Sequence, residues 1–359
     1  MKVKLNEDED KDEGAVQGAE GGLYEGPMKK PTTTAAAVAV WREWLTLVHR
    51  LRRIARLREL EQLEAEHRRH LSRNSALIGG GDQHSLAVRV DGSIACWGAN
   101  ENGQAPPAGV DGEFVAVAAG GYHSLALRSD GTIACWGRNA SGQAPPDGVD
   151  GDFVAVAAGG YHSLAIRRDG SIACWGFNDD GQAPPDGVAG DFVAIAAIGG
   201  HSLAIRRDGT IAFWGYNSEG QAPPQGMQGD FTAIGAGTLH SMAVRHDGSF
   251  TWWGDLNDDS EIMAPPADLD LEDCVMLAGG ICHSIALRSD GSIACWGGNE
   301  SGEAPPDGVE GDFVAIAAGW EHSLAIRRDG TIACWGLNDK GQAPPGGVAG
   351  PFMTEVLIL

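Results

Sequence analysis

Phe153-Val-Ala-Val-Ala-Ala-Gly159, His162-Ser-Leu-Ala-Ile-Arg167, Arg168-Asp-Gly170 and Ser171-Ile-Ala-Cys-Trp-Gly176 decide the fold of this chain. The first stretch is a short apolar run of small residues, suited to a strand buried on both sides. In the second, apolar and polar residues alternate as in a second strand. Asp169-Gly170 then stands between two such runs, the strongest short hairpin signal, because both positions of a two-residue turn need positive φ. The third strand follows. In Phe177-Asn178-Asp-Asp-Gly181-Gln182-Ala-Pro184-Pro185, Asn and Gly favour a tight turn and two prolines stop ladder pairing, so a fourth, outer strand must be short.

The unit repeats. His-Ser before an apolar run occurs at His84, His123, His162, His201, His240, His283 and His322, with five spacings of 39 residues and one of 43. Asp-Gly recurs in all seven copies, from Asp91-Gly92 to Asp329-Gly330. Four strands within such a period is the size of one propeller blade. The chain is therefore expected to be all-β over residues 75–351, a seven-bladed β-propeller. A residue that occurs in every repeat serves the fold, whereas a catalytic site is a singular arrangement.

Ala-Gly-Gly-x-His-Ser-Leu-Ala-Leu, Asp-Gly and Trp-Gly-x-Asn-x-x-Gly-Gln resemble the regulator of chromosome condensation repeat. The resemblance covers roughly residues 75 to 351 and implies seven blades. The ending Gln-Ala-Pro-Pro looks closer to bacterial-type members, which include a β-lactamase inhibitor protein. The family's functions are diverse: guanine nucleotide exchange, ubiquitin-ligase modules, plant ultraviolet sensing and enzyme inhibition. Fold alone does not select among them. Two details narrow the choice. The ultraviolet receptor relies on repeated Gly-Trp-x-His motifs, and here only Gly319-Trp320-Glu321-His322 fits. The four extra residues of the longest repeat are too few for the protruding β-wedge with which the chromosome-condensation protein engages its GTPase.

Charge sharpens the partner class. From Ala76 onward there are 36 acidic and 12 basic residues, 12 − 36 = −24. Such a field disfavours phosphate backbones, so no nucleic acid is expected on the propeller, and it favours solubility or a basic protein partner.

Cys96, Cys135, Cys174, Cys295 and Cys334 precede the blade tryptophan, and Phe213 and Trp252 hold that place in the other two repeats. A position that accepts Cys, Phe or Trp requires apolar volume and no thiolate. Equivalent positions on separate blades are too far apart for a disulfide. Cys274 and Cys282 lack ligand spacing. Trp97, Trp136, Trp175, Trp214, Trp253, Trp296 and Trp335 read as packing between blades. Within a His-Ser pair the two side chains point to opposite strand faces, which excludes a nucleophile-base pair and leaves hydrogen bonding in the blade. A ring of axial histidines is too wide for metal bonds near 2 Å. Asp255, Asn257 and Asp259 have calcium-loop spacing, but the loop lacks the turn glycine, and Pro266 stands where the last ligand belongs. No metal, cofactor or enzymatic activity is expected.

The first 75 residues differ. Residues 1–34 are charged, Gly-rich and poor in apolar groups, an expected disordered acidic tail. They show no secretory signal pattern, so a cytoplasmic or nuclear location is expected. From Ala35 to about Arg73 no Gly or Pro intervenes, and Thr34 can cap a long helix. It carries nine arginines and five glutamates, and its leucine stripe steps by three and winds around the helix, unlike a strict coiled-coil seam. It has no run of about 20 apolar residues, so no transmembrane segment is expected. Domain limits are therefore 1–34, 35–74, 75–351 and, as an edge strand, 352–359.

Two expectations concern assembly. Ala76-Leu-Ile-Gly79 fills the first-strand slot of the first blade, yet Phe352-Met-Thr-Glu-Val-Leu-Ile-Leu359 is in register with Phe313 as a further copy. The N-terminal copy is expected to be used, with the C-terminal one adding at an edge or displacing it. The working surface is expected where repeats diverge: just before each histidine and just after Trp-Gly, on loops of one face. There Tyr122, Arg138, Tyr161, Phe177 and Tyr216 come from consecutive blades and form an aromatic arc with an arginine. Tyr and Arg are enriched in binding hot spots. The expected function is a non-enzymatic protein-binding propeller, a scaffold or inhibitor-like module. The alternative is a regulatory subunit in a nucleotide-exchange or ubiquitin-ligase system.

Overall fold

A computed structural model describes residues 76–222, 226–254, 264–269, 271 and 273–355. The expected acidic tail, basic helix, the residues 255–263 with the calcium-like spacing, and residues 356–359 lie outside the described residues. The rest forms seven three-stranded antiparallel sheets, each ordered first, second, third strand. They are β1–β3 (Ile78–Gly80, His84–Val88, Ile94–Gly98), β4–β6 (Phe114–Ala119, His123–Arg128, Ile133–Gly137) and β7–β9 (Phe153–Ala158, His162–Arg167, Ile172–Gly176). Then come β10–β12 (Phe192–Ile198, His201–Arg206, Ile211–Gly215) and β13–β15 (Phe231–Ala236, His240–Arg245, Phe250–Gly254). The last are β16–β18 (Cys274–Gly279, His283–Arg288, Ile293–Gly297) and β19–β21 (Phe313–Ala318, His322–Arg327, Ile332–Gly336). The seven-bladed all-β propeller is the fold.

The third blade shows why each piece forms. The hairpin differs from the two-residue turn that Asp-Gly suggests. Arg167 N donates to Ser171 O at 2.8 Å and Gly170 N to Arg167 O at 2.9 Å, and Gly170 has φ 84°. This is a three-residue loop, with the glycine in the left-handed region and the aspartate free to serve as acceptor. Asp169 Oδ1 takes both the backbone N–H and the hydroxyl of Ser171, at 2.9 and 2.7 Å. The fourth strand is reduced to one bridge, Ile172↔Val188, just after the prolines.

The core lies between blades. Leu125, Leu127, Ile133 and Cys135 of one blade pack on Phe153, Val156 and Ala158 of the next. A phenylalanine opens the first strand of five blades and Cys274 that of the sixth, and a register shift follows, as between Phe153↔Arg167 and Ala155↔Ile166. Cys135, Cys174, Cys295 and Cys334 are buried, and burial pushes these thiols up to about 12. The tryptophans are less deeply placed than a core reading implies. Of the seven that follow the cysteine position, all but Trp296 are half-buried.

Closure corrects the expectation that one terminal copy excludes the other. The first strand of the first blade is composite. Phe352 bridges Arg89 as Phe114 does Arg128, and Ile78 pairs Ala87 as Val117 does Ala126. Phe352 is 3% exposed. Met353 N donates to Val88 O at 3.0 Å and Val88 N to Leu77 O at 2.9 Å, so the two segments meet where the other blades carry their register shift.

Candidate functional site

The histidines and serines are used up in holding the blades together. Nε2 of each histidine meets the serine hydroxyl of the next blade: His84–Ser124, His123–Ser163, His162–Ser202, His201–Ser241, His240–Ser284, His283–Ser323 and His322–Ser85, at 2.7–3.0 Å. Ser163 in turn donates to Gln143 O at 2.8 Å, and Trp175 Nε1 donates to the same carbonyl at 2.9 Å. With its one proton committed, the serine oxygen can only accept, so His123 carries its proton on Nε2. Burial and the neighbouring His123 and His201 press His162 down to about 3, a neutral ring with no base role near neutral pH. The hydrogen-bonding role expected for His-Ser is present, with the partner on the adjacent blade.

The loops between first and second strands converge on the axis. There Gly160 N donates to Gly199 O at 2.8 Å, Ile281 N to Trp320 O at 2.9 Å and Trp320 N to Gly81 O at 3.1 Å, which knits a rim. The inner strands leave a channel walled by small residues such as Ala118, Ala157, Ala196 and Ala317.

The two variable positions are neighbours in every blade where both are among the described residues. Arg138 N donates to Tyr122 O, Phe177 N to Tyr161 O and Tyr216 N to Gly200 O, at 2.8–2.9 Å. Across blades, the Tyr122 and Tyr161 rings stack at 6.1 Å with 30° between planes, and the Arg138 guanidinium lies 5.5 Å from the Tyr161 ring centre. Four of the five arc residues are thus joined by ring or backbone contacts. Tyr216 turns to its own blade, where its hydroxyl donates to Glu219 at 3.2 Å.

Above the channel opens a cavity of about 270 Å³, walled by Tyr161, Phe177 and Trp320, with Asp82 and Asp180 as its carboxyls. Among the described residues, the exposed large hydrophobics are Val90, Tyr161 at 40% and Trp320 at 39%. Two of these three therefore stand at one cavity. Burial holds the Asp82 carboxyl up at about 7, against the opposing influence of the Tyr122 hydroxyl. Asp82 and Trp320 were not in the expected arc. Both lie two residues before the histidine, where the blades carry Asp82, Gly121, Gly160, Gly199, Thr238, Ile281 and Trp320. Comparison of that position across repeats exposes them, because three consecutive glycines face a tryptophan.

The sequence profile of the Regulator of chromosome condensation (RCC1) repeat matches residues 76–104, 114–143, 153–182, 277–303 and 313–342. No curated protein matches the sequence. Among solved structures, the CRINKLY WD40 ectodomain of the Arabidopsis thaliana receptor kinase ACR4 is similar at 22% identity, with 79% of this chain and 99% of that chain covered and a TM-score of 0.59. The ectodomain of the Physcomitrella patens receptor kinase CR4 is 22% identical over 73% of this chain and 74% of that one, TM-score 0.58. Human WBSCR16 is 19% identical over 70% and 86%, TM-score 0.58. At such identities the likeness is one of fold.

Proposed function

We propose that this chain, a propeller of regulator of chromosome condensation repeats, works as a non-enzymatic protein-binding module through the loops around one mouth of its channel. The observation that carries this reading is the clustering of exposed aromatic surface. Tyr161 and Trp320 share one cavity, and Arg138 lies over Tyr161. Exposed aromatic rings beside an arginine form the residue set of a hot spot, and a rigid sheet framework holds them at low entropic cost. The repeated histidines and serines are engaged with one another, which argues against catalysis by them. The acidic balance of the propeller favours a basic partner.

The test begins with capture of the partner on the intact protein. Affinity is then measured with Tyr161→Ala and Phe177→Ala combined. Binding is expected to weaken by about 2 kcal/mol or more while the melting temperature holds. Unchanged affinity in the folded double variant removes the arc from the interface.

A further inference from the structure

The mouth cavity holds a carboxyl, Asp82, that is not a member of the aromatic arc. Asp82 is half-buried, and a Cβ built on Gly121 of the next blade would stand 3.1 Å from its Oδ2. The glycine leaves room for the carboxyl and for Gly160 O, which the same Cβ would meet at 2.8 Å. Trp320 and Tyr161 line the same cavity with their aromatic rings, Asp180 lines it too, and none of the described lining residues is basic. A cavity of aromatic walls and small residues, with Asp82 and Asp180 as its carboxyls, suits a ligand that is aliphatic along its length and positive at its tip.

We infer that this cavity takes the ammonium end of a lysine side chain of the protein partner, its stem against Trp320 and Tyr161 and its charge on Asp82. The inference rests on the reading of this mouth as the working surface. Three observations select an ammonium. The carboxyl is half-buried and the Gly121 backbone closes on its Oδ2, which leaves less room for the broad two-oxygen fork of a guanidinium than for a compact ammonium. A point charge needs only one accessible oxygen. The aromatic faces add attraction for a cation and none for a carboxylate. The surplus of acidic residues over the propeller draws a positive side chain toward the mouth and repels an acidic one.

The chemistry also sets a sign. Burial favours protonated Asp82, with its midpoint at about 7. An ammonium binds the ionised form, so binding releases a proton and strengthens as pH rises through that midpoint. Asp180 and Tyr161 line the same cavity, the Tyr122 hydroxyl acts on Asp82, and Arg138 lies over the Tyr161 ring.

The experiment uses the full chain with carbon-13-labelled aspartate and n-butylamine as the probe, with n-butanol and propylguanidinium as comparisons. One carboxyl resonance is expected to titrate near neutrality, to vanish in Asp82→Asn, and to move down by about one pH unit, a tenfold shift in proton affinity, when n-butylammonium saturates the site. Asp82→Asn and, separately, Trp320→Ala are each expected to weaken amine binding about tenfold. The inference is overturned by any of three results: butylammonium leaves that resonance in place, n-butanol binds as well as the amine, or propylguanidinium binds more tightly. Undiminished amine binding by both folded variants overturns it too. No partner enters this measurement. Amine binding together with unchanged partner affinity in the Tyr161/Phe177 double variant would reject the arc and the Tyr161 part of the stem contact, leaving the amine on Asp82 and Trp320. Loss of partner affinity in that variant without amine binding would reject the lysine pocket alone.

Discussion

His322 of the seventh blade gives its Nε2 proton to the hydroxyl of Ser85 in the first at 2.9 Å, across 237 positions of chain. Ser85 hands its own proton to Gln342 O at 2.9 Å, and Trp97 Nε1 donates to that carbonyl at 2.8 Å. The last junction of the ring is thus the same bonded unit as the junction that joins Ser163, Gln143 and Trp175 within the chain.

Ser85→Ala strands a buried imidazole N–H and leaves Gln342 O with one donor fewer. The expected cost is about 1–3 kcal/mol, read as a lower urea midpoint with unchanged slope. Ser163→Ala, at an internal junction of the same design, is expected to cost a similar amount. If Ser85→Ala shifts stability by less than about 0.5 kcal/mol, the bond contributes nothing to ring closure.

Phe352 is the outer member of the same closure. Its ring fills the slot that Phe114, Phe153, Phe192, Phe231 and Phe313 fill in other blades, and it packs with Ile326, Ile332 and Cys334 of the last blade. Phe352→Ala is expected to cost about 3–5 kcal/mol, as for other large buried rings. Truncation after Gly350 is expected to lower the melting temperature, and an unchanged melting curve would make the shared strand dispensable.

The parts legible in the sequence are those in which one repeat contains its own explanation. Asp169-Gly170 announces a hairpin and Pro184-Pro185 stops a strand, and the structure has both, though the turn holds three residues because only Gly170 needs the left-handed region. Interactions between repeats were hidden. His162 and Ser163 sit side by side, but each pairs with another blade, and no spacing within a repeat reveals that. Closure was half visible. Ala76-Leu-Ile-Gly79 and Phe352-Met353 both matched one slot, and the register shift after the phenylalanine let each take part of it. The mouth cavity exists only when loops from several blades meet at the axis, so Asp82 and Trp320 gain their meaning from the ring. The fourth blade is the local exception. It carries Ile198 where the other blades place glycine against their own histidine ring, and it extends its first strand to pair Ile198 with His201.

The repeated thiols report on blade packing. Cys135 and Cys174 are each 8% exposed and pushed up to about 12, chiefly by burial. Neither access nor thiolate is available in the native protein. Alkylation at pH 8 is expected to be slow until denaturant is added, with peptide mapping to identify the sites. Prompt native labelling of Cys174 would show that the blades part locally.

Acid is expected to undo the ring. His84, His162, His201 and His283 are held at about 3, and His123 and His322 at about 4, with burial as the first cause in every case. In the unfolded chain the same groups take up protons near 6.5. Between those limits the unfolded state binds more protons, so the stabilisation is complete above pH 6.5 and is lost as pH falls toward 4 and then 3. Each histidine contributes at most about 1.4 kcal/mol per pH unit within that window. The turn aspartates, such as Asp169, are held below their usual value by Ser171 and act only at lower pH, so they do not shape this slope. Calorimetry at constant ionic strength is expected to show a steep fall in melting temperature from pH 6.5 to 4.5. A level melting temperature across that interval would mean that the histidines are protonated in the native ring, with Nδ1 as well as Nε2 carrying hydrogen.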